Sequence, residues 1–407
     1  MNARPLRRVP IEPAMVRGAV EVEETPRGLL PHRLPRWARR QIPDRFMVQT
    51  SAESAGVRLA LRTAADVIEL DVQARRLAAD AEAPMPPSVY ELTEGSRLAA
   101  SATVPVGSRF VFAFERPDGA IVPGPDATAR FTGLGTGAER DLELWLPYHD
   151  AVELLELRAD APVAPLPESG ALRWVHHGSS ISHGYRADTT TGTWPVVAAL
   201  RAGAHLQNLA FSGNAMLDPF TARTIRDAPA DLVTLKIGIN LVCGDVMRLR
   251  AFRPAVDGFL DTVRDGHPET PIVLVSPIWC EPVETAAGPT VQDPGRDEEW
   301  SIAAGTEADV AAGKLSLRTV RDELASIVDR RRDDDHRLHY FDGLSLYSGR
   351  DAAAMPLPDN LHPGPDVQRR IGERFADAVL SEFAVPHGST PRGRPSGESR
   401  DLQRSRP

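Results

Sequence analysis

The sequence is short of the features that mark a special environment. It has two cysteines, Cys243 and Cys280, too few for a disulfide framework. No window approaches eighteen uninterrupted apolar residues, so no membrane-spanning helix is expected. The basic N-terminus, MNARPLRRVPIEPAMVRGAV, is not followed by the apolar core of a secretory signal, which points to the cytoplasm. Lysine is nearly missing: Lys236 and Lys314 are the only two, and arginine carries the rest of the basic charge. With so much alanine and proline, this reads as codon usage and not as function. There is no basic excess either. Lysine and arginine total 47 against 56 acidic residues, a net charge of −9, which argues against a nucleic-acid partner. What is present, 42% apolar and 25% charged residues in a chain of 407, suits a globular protein with two full cores.

Residues 1–45 are rich in proline and arginine, with six arginines between Arg27 and Arg45 around Trp37. We read an arm that packs on the first domain with its charges facing water, in preference to a patch for an anionic partner. From 46 to 165 the pattern has period two. Val57, Leu59 and Leu61 alternate with Arg58, Ala60 and Arg62; Ile68, Leu70 and Val72 alternate with Glu69 and Asp71. Phe110, Phe112 and Phe114, and Leu142, Leu144 and Leu146, follow the same rule. Each run buries one face, and the turn signal Arg116-Pro117-Asp118-Gly119 separates two of them. This predicts an antiparallel β-sandwich.

After the Pro-rich segment 161–170 the period changes. Apolar runs at 172–175, 206–211, 231–240, 271–278 and 338–343 alternate with helical patterns near 194–202, 254–264, 315–331 and 365–383. Such alternation predicts a parallel sheet with helices on both faces in a domain spanning 166–385. Its site should lie beyond the carboxyl ends of the strands. Residues 386–407, mostly Gly, Pro, Ser and Arg, read as a disordered tail.

The chemistry-bearing residues fall at those strand ends. His176-His177-Gly178-Ser179-Ser180-Ile181-Ser182 places a serine in a tight turn, where it is a nucleophile only if a base takes its proton. Ser182 stands where the G-x-S-x-G elbow would have its second glycine, so this is not that motif. Ser212-Gly213-Asn214, Gly238-Ile239-Asn240 and Asp359-Asn360-Leu361-His362-Pro363 follow in order.

In this order, on a doubly wound domain, the four segments resemble blocks I, II, III and V of the SGNH (GDSL) hydrolases over residues 170–385. The resemblance implies a three-layer α/β/α domain with Ser180 as nucleophile, His362 as base and Asp359 orienting it. It also implies an oxyanion hole from the backbone N–H of Ser180 and Gly213 and the side-chain amide of Asn240. Two positions depart from the pattern. Ser179 replaces the aspartate of G-D-S, and Leu241 follows Asn240 where aspartate is common. A β-sandwich ahead of such a domain resembles carbohydrate esterases and, more closely, GDSL-like acyltransferases of polyketide tailoring. The expected partners are a small-molecule ester or acyl donor and, in a transferase, a hydroxyl acceptor. No metal or organic cofactor is implied. A non-catalytic, glycan-binding protein with a worn SGNH domain is the alternative that Ser179 and Leu241 would favour. The oligomeric state is not legible.

Other residues have bland readings. His176, His177 and His183 are expected to be hydrogen-bonded and not metal ligands, and Asp334, Asp335 and His336 form a charged turn. Lys236, in an apolar strand, needs a carboxylate partner or a path to solvent at a sheet edge. Cys243 and Cys280 follow neighbouring strands, and two ordinary thiols are favoured over a reducible pair. Residues 279–312 form a long insertion, a lid or a packed excursion, with Trp279 and Trp300 near its ends.

Overall fold

A computed structural model describes residues 4–82, 84–113, 116–135 and 137–383. Phe114 and the tail 386–407 lie outside the described residues. Two hydrophobic cores divide the rest. The first lies between two sheets. One sheet runs, in spatial order, Arg116–Val122, Ser108–Ala113, Ile68–Ala78, Asp150–Ala159, Leu29–His32 and Glu21–Glu24. The other runs Val163–Pro165, Arg58–Thr63, Arg140–Trp145, Ser88–Glu94 and Arg97–Val104. Leu59, Leu61, Leu70, Val72, Leu142 and Leu144 meet between them with no exposed surface. The alternating runs thus form a sandwich, antiparallel except where Ile68–Ala78 and Ser108–Ala113 run parallel. The 116–119 segment lies in a strand, with an irregular register between Arg116 and Ala120.

Two expectations need correction. Arg58 and Ala60, read as the wet face of their strand, are buried at 2%. The C-terminal half covers that face, and Arg58 donates to Leu206 O at 3.2 Å and Glu143 Oε1 at 2.6 Å. The N-terminal segment is also more than an arm. Arg7–Val9 pairs with Asp150–Ala159, Val16–Arg17 with Arg58–Thr63, and Leu29–His32 with both Glu21–Glu24 and Asp150–Ala159. These short strands cover backbone edges that would otherwise lie open. Its arginines are not all in water. Arg39 pairs with Glu21 and Glu23, and Arg33 is fully buried.

The second core surrounds a five-stranded sheet in the order His205–Asn208, Arg173–Gly178, Leu232–Lys236, Ile272–Val275 and Leu338–Phe341, parallel throughout. Alternate side chains of Arg173–Gly178 show the layers. Trp174 and His176 meet Trp194 and Phe375 of helices Trp194–Ala202 and Pro365–Phe375. His177 faces the other way, stacked on Phe259 of helix Leu249–Gly266. That helix starts a turn before the expected 254, with Pro254 inside it. Helix Pro219–Asp227 was not expected, because only Phe220 and Ile225 give it a large apolar face. No helix among the described residues is long and apolar enough to cross a membrane.

Candidate active site

Three strand-to-helix junctions of the parallel sheet, and the loop between helices Gly349–Ala354 and Pro365–Phe375, hold the residues singled out above. The strand Arg173–Gly178 ends against Lys236, and a Cβ on Gly178 would come 2.5 Å from Ser182 Oγ, so only glycine lets the chain turn there. The turn leads into helix Ser180–His183. Ser179 caps it, its hydroxyl accepting from Ile181 N at 3.3 Å. This gives the G-D-S departure a structural role, because a serine caps a helix as well as an aspartate does. Ser180 is the first residue of the helix, where backbone N–H groups have no intrahelical acceptor.

Ser180 Oγ lies 2.9 Å from His362 Nε2, and His362 Nδ1 lies 2.8 Å from Asp359 Oδ2. The carboxylate at Nδ1 fixes the proton there and leaves Nε2 to accept from the serine. Asp359 is 1% exposed and His362 13%. The loop is wound tightly, since Asp359 Oδ1 also accepts from Leu361 N at 3.0 Å and His362 N at 2.6 Å. Burial alone would raise the Asp359 carboxyl. The hydrogen bonds and charge of His362, with Arg186 beside them, outweigh it and hold the group well below the usual carboxylate range.

Gly213 has φ +70°, a left-handed conformation in which glycine carries no steric penalty. Asn240 Oδ1 accepts from Ala215 N at 3.0 Å, which orients the amide and leaves its NH₂ group directed elsewhere. Leu241, the second departure, is fully buried in the core. Ser180, Asp359 and His362 are thus joined through hydrogen bonds, and Gly213 and Asn240 follow the strands on either side of Arg173–Gly178 and are joined through Ala215.

The three histidines near the turn are buried and each has a hydrogen-bond partner. His176 Nδ1 meets Thr234 Oγ1 and His177 Nδ1 meets Leu209 O, both at 2.7 Å. His183 Nδ1 accepts from Ser212 N at 3.2 Å, so its proton sits on Nε2, which donates to Tyr148 O at 3.0 Å. Burial lowers all three. Lys236 is in the central strand, away from any edge, and forms no ion pair among the described residues. Burial pulls it down to about 8, against the opposing influence of Cys280. Cys243 and Cys280 are free thiols. Asp335 is paired with Arg264 at 2.9 Å.

Several residues that the sequence did not flag border this site. Arg186 Nε donates to Asp359 Oδ2 at 2.7 Å, and the Tyr185 ring lies edge-on to His362 with centroids 4.6 Å apart. From the N-terminal half, helix Arg45–Ala52 brings Phe46 against Gly213, and Thr50 Oγ1 accepts from Asn214 Nδ2 at 3.3 Å. The insertion joins in as well. Ser301 N donates to Asp359 O and Asn360 Nδ2 donates to Ser301 O, both at 2.9 Å. The only available signal was position, since Tyr185 and Arg186 directly continue the Ser180 turn.

A model of the GDSL-like lipase/acylhydrolase family matches residues 177–370. Among solved structures, the chain is similar to the salicylyl-acyltransferase SsfX3 from a tetracycline biosynthetic pathway, with 26% identity and a TM-score of 0.74 over 94% of this chain and 98% of that one. A GDSL-like lipase structure from Bacteroides ovatus shares 17% identity, with a TM-score of 0.64 over 93% and 98%. A family two carbohydrate esterase from Cellvibrio japonicus shares 12% identity, with a TM-score of 0.56 over 93% and 99%. The last two are likenesses of fold. No curated protein matches the chain in sequence. Behind an N-terminal β-rich half, residues 177–370 of the chain therefore match the GDSL-like lipase/acylhydrolase domain.

Proposed function

We propose that the protein transfers acyl groups through an acyl-Ser180 intermediate. The observation that carries this reading is the unbroken chain from Ser180 Oγ through His362 to Asp359, at 2.9 and 2.8 Å. Ser180 Oγ attacks the carbonyl carbon of an ester as its proton passes to His362 Nε2. The oxyanion takes hydrogen bonds from the backbone N–H of Ser180 and Gly213 and from the Asn240 amide. Collapse expels the alcohol, which leaves with the proton from His362. In the second half an acceptor hydroxyl gives its proton to His362 and attacks the acyl group, and Ser180 leaves and regains its proton. Asp359 stays ionised and stabilises the imidazolium.

Water as the acceptor makes the enzyme an esterase. The similarity to a salicylyl-acyltransferase along nearly the whole of both chains favours a hydroxyl of another metabolite. We take residues 166–385 as the catalytic domain and 46–165 as an accessory domain to which residues 7–32 add strands. The two free thiols fit a reducing compartment, and we place the protein in the cytoplasm.

The test is p-nitrophenol release from short- and medium-chain p-nitrophenyl esters by the wild type and Ser180→Ala. The reading expects release that the substitution abolishes, and a stoichiometric burst with slow turnover if the true acceptor is missing. A wild type that neither releases p-nitrophenol nor takes up a fluorophosphonate at Ser180 would overturn it in favour of a binding protein.

A further inference from the structure

We infer that Arg186 is a positioning residue for the Asp359–His362 pair, and that Glu299 on the insertion sets how strongly the pair feels its charge. The inference rests on the triad reading above. Arg186 Nε and His362 Nδ1 share one acceptor, Asp359 Oδ2, at 2.7 and 2.8 Å. The other end of the guanidinium donates to Glu299. Arg186 holds this place at φ +67°, a left-handed conformation disfavoured for a non-glycine residue. Such a conformation persists only where the surroundings enforce it. Here the guanidinium lies 5.8 Å from the Tyr185 ring, whose edge meets His362. Glu299 is held as well. It stands two residues before Ser301, the residue whose backbone is bonded to Asp359 and Asn360.

The groups facing the pair are Ser180 and Tyr185 from the nucleophile turn, Arg186, Glu299 from the insertion and the buried Cys280. Burial pushes the Tyr185 hydroxyl and the Cys280 thiol up, so both are neutral near pH 7. Arg186 and Glu299 are left as the charges that matter. The Arg186 cation beside Asp359 opposes the second positive charge that His362 takes up when it accepts the Ser180 proton. Glu299 offsets that cation. Removing the two charges must therefore move the acid limb of reactivity in opposite directions. A merely structural contact would slow both variants and leave the limb where it was.

The experiment is the rate of labelling of Ser180 by a fluorophosphonate between pH 5 and 9 (roughly the range in which an imidazole titrates), in wild type, Arg186→Met and Glu299→Gln. Arg186→Met should move the acid limb up, and Glu299→Gln should move it down, each on the order of half a pH unit. Glu299 is 56% exposed, so its substitution leaves the fold intact even if Arg186→Met does not. Label uptake by the wild type with an unmoved limb in Glu299→Gln, or with limbs that move the same way in both variants, overturns the inference and leaves the triad standing. No uptake by the wild type overturns the triad, and the inference falls with it.

Discussion

Phe46 fills the space that any side chain at position 213 would need: a Cβ there would stand 2.9 Å from Cε1 of its ring. The N-terminal half therefore packs directly on a proposed oxyanion donor. Gly213→Ala faces that contact and a left-handed φ, together worth at least 1–2 kcal/mol by the backbone term alone. We expect kcat/KM on a p-nitrophenyl ester to fall about tenfold or more. Gly213→Ala/Phe46→Ala should recover only part of the loss, since the backbone strain stays. Unchanged kcat/KM in Gly213→Ala would remove Gly213 from the oxyanion hole.

Arg33 holds the two halves of the chain together. Its buried guanidinium donates to Glu53 O at 2.5 Å and to Thr50 O on the sandwich side, and to Asn208 O at 3.2 Å and Ala210 O at 2.6 Å on the side of the parallel sheet. Arg33→Met leaves these carbonyls without their donor. Leaving a buried acceptor without its donor typically costs about 1–3 kcal/mol. Arg33→Lys should rescue little, because an ammonium cannot span the fork. Chemical denaturation would measure both. A loss below about 1 kcal/mol in Arg33→Met would show that water replaces the guanidinium freely.

Asp351 gives stability a dependence on acid. Burial would raise its carboxyl, but Arg374 at 2.9 Å and the Ser348 amide and hydroxyl outweigh this and hold it below the usual carboxylate range. A carboxyl lowered on folding stabilises the native state above its unfolded value, about 3.9 for aspartate. That contribution is lost as pH falls through the lowered native value. Asp351→Asn should therefore cost about 1–3 kcal/mol at pH 7. The gap to wild type should narrow steadily below about pH 4. Denaturant midpoints between pH 7 and 2.5 (a span of roughly 4.5 units, bracketing that value) would show this, and a gap that does not vary with pH would refute it.

The thiols should be inert in the native protein. Burial pushes Cys243 up to about 12 and Cys280 well above the ordinary thiol value. Only the thiolate attacks a disulfide reagent. Ellman's reagent at about pH 8, below the usual thiol value, should find both cysteines promptly after denaturation without reductant, and neither on that timescale in the native state. A deficit in the denatured, unreduced sample would mean that they pair.

The legible parts of this protein follow from burial. Strands such as Ile272–Val275 are covered on both faces and read as unbroken apolar runs, which is why the parallel sheet was visible. The site was visible because its residues sit at the ends of those strands in a recognisable order. Contacts between distant segments were not visible. Arg58 looked like a solvent residue because one strand cannot reveal what covers its outer face. Arg33 looked like part of a basic arm, although its acceptors Asn208 and Ala210 lie far along the chain. Arg7–Val9 and Val16–Arg17 are too short to show alternation. Arg186 and Glu299 had no pattern to mark them, since their pairing exists only in three dimensions.

The 182 positions that separate Ser180 from His362 also set when the site can exist. A ribosome adding roughly 5–20 residues per second makes Ser180 about 10–40 s before it makes His362. On the proposed reading, the nascent chain holds throughout that interval a serine hydroxyl without its base. On the proposed reading, competence must wait until the Asp359–His362 loop has been made, just ahead of helix Pro365–Phe375.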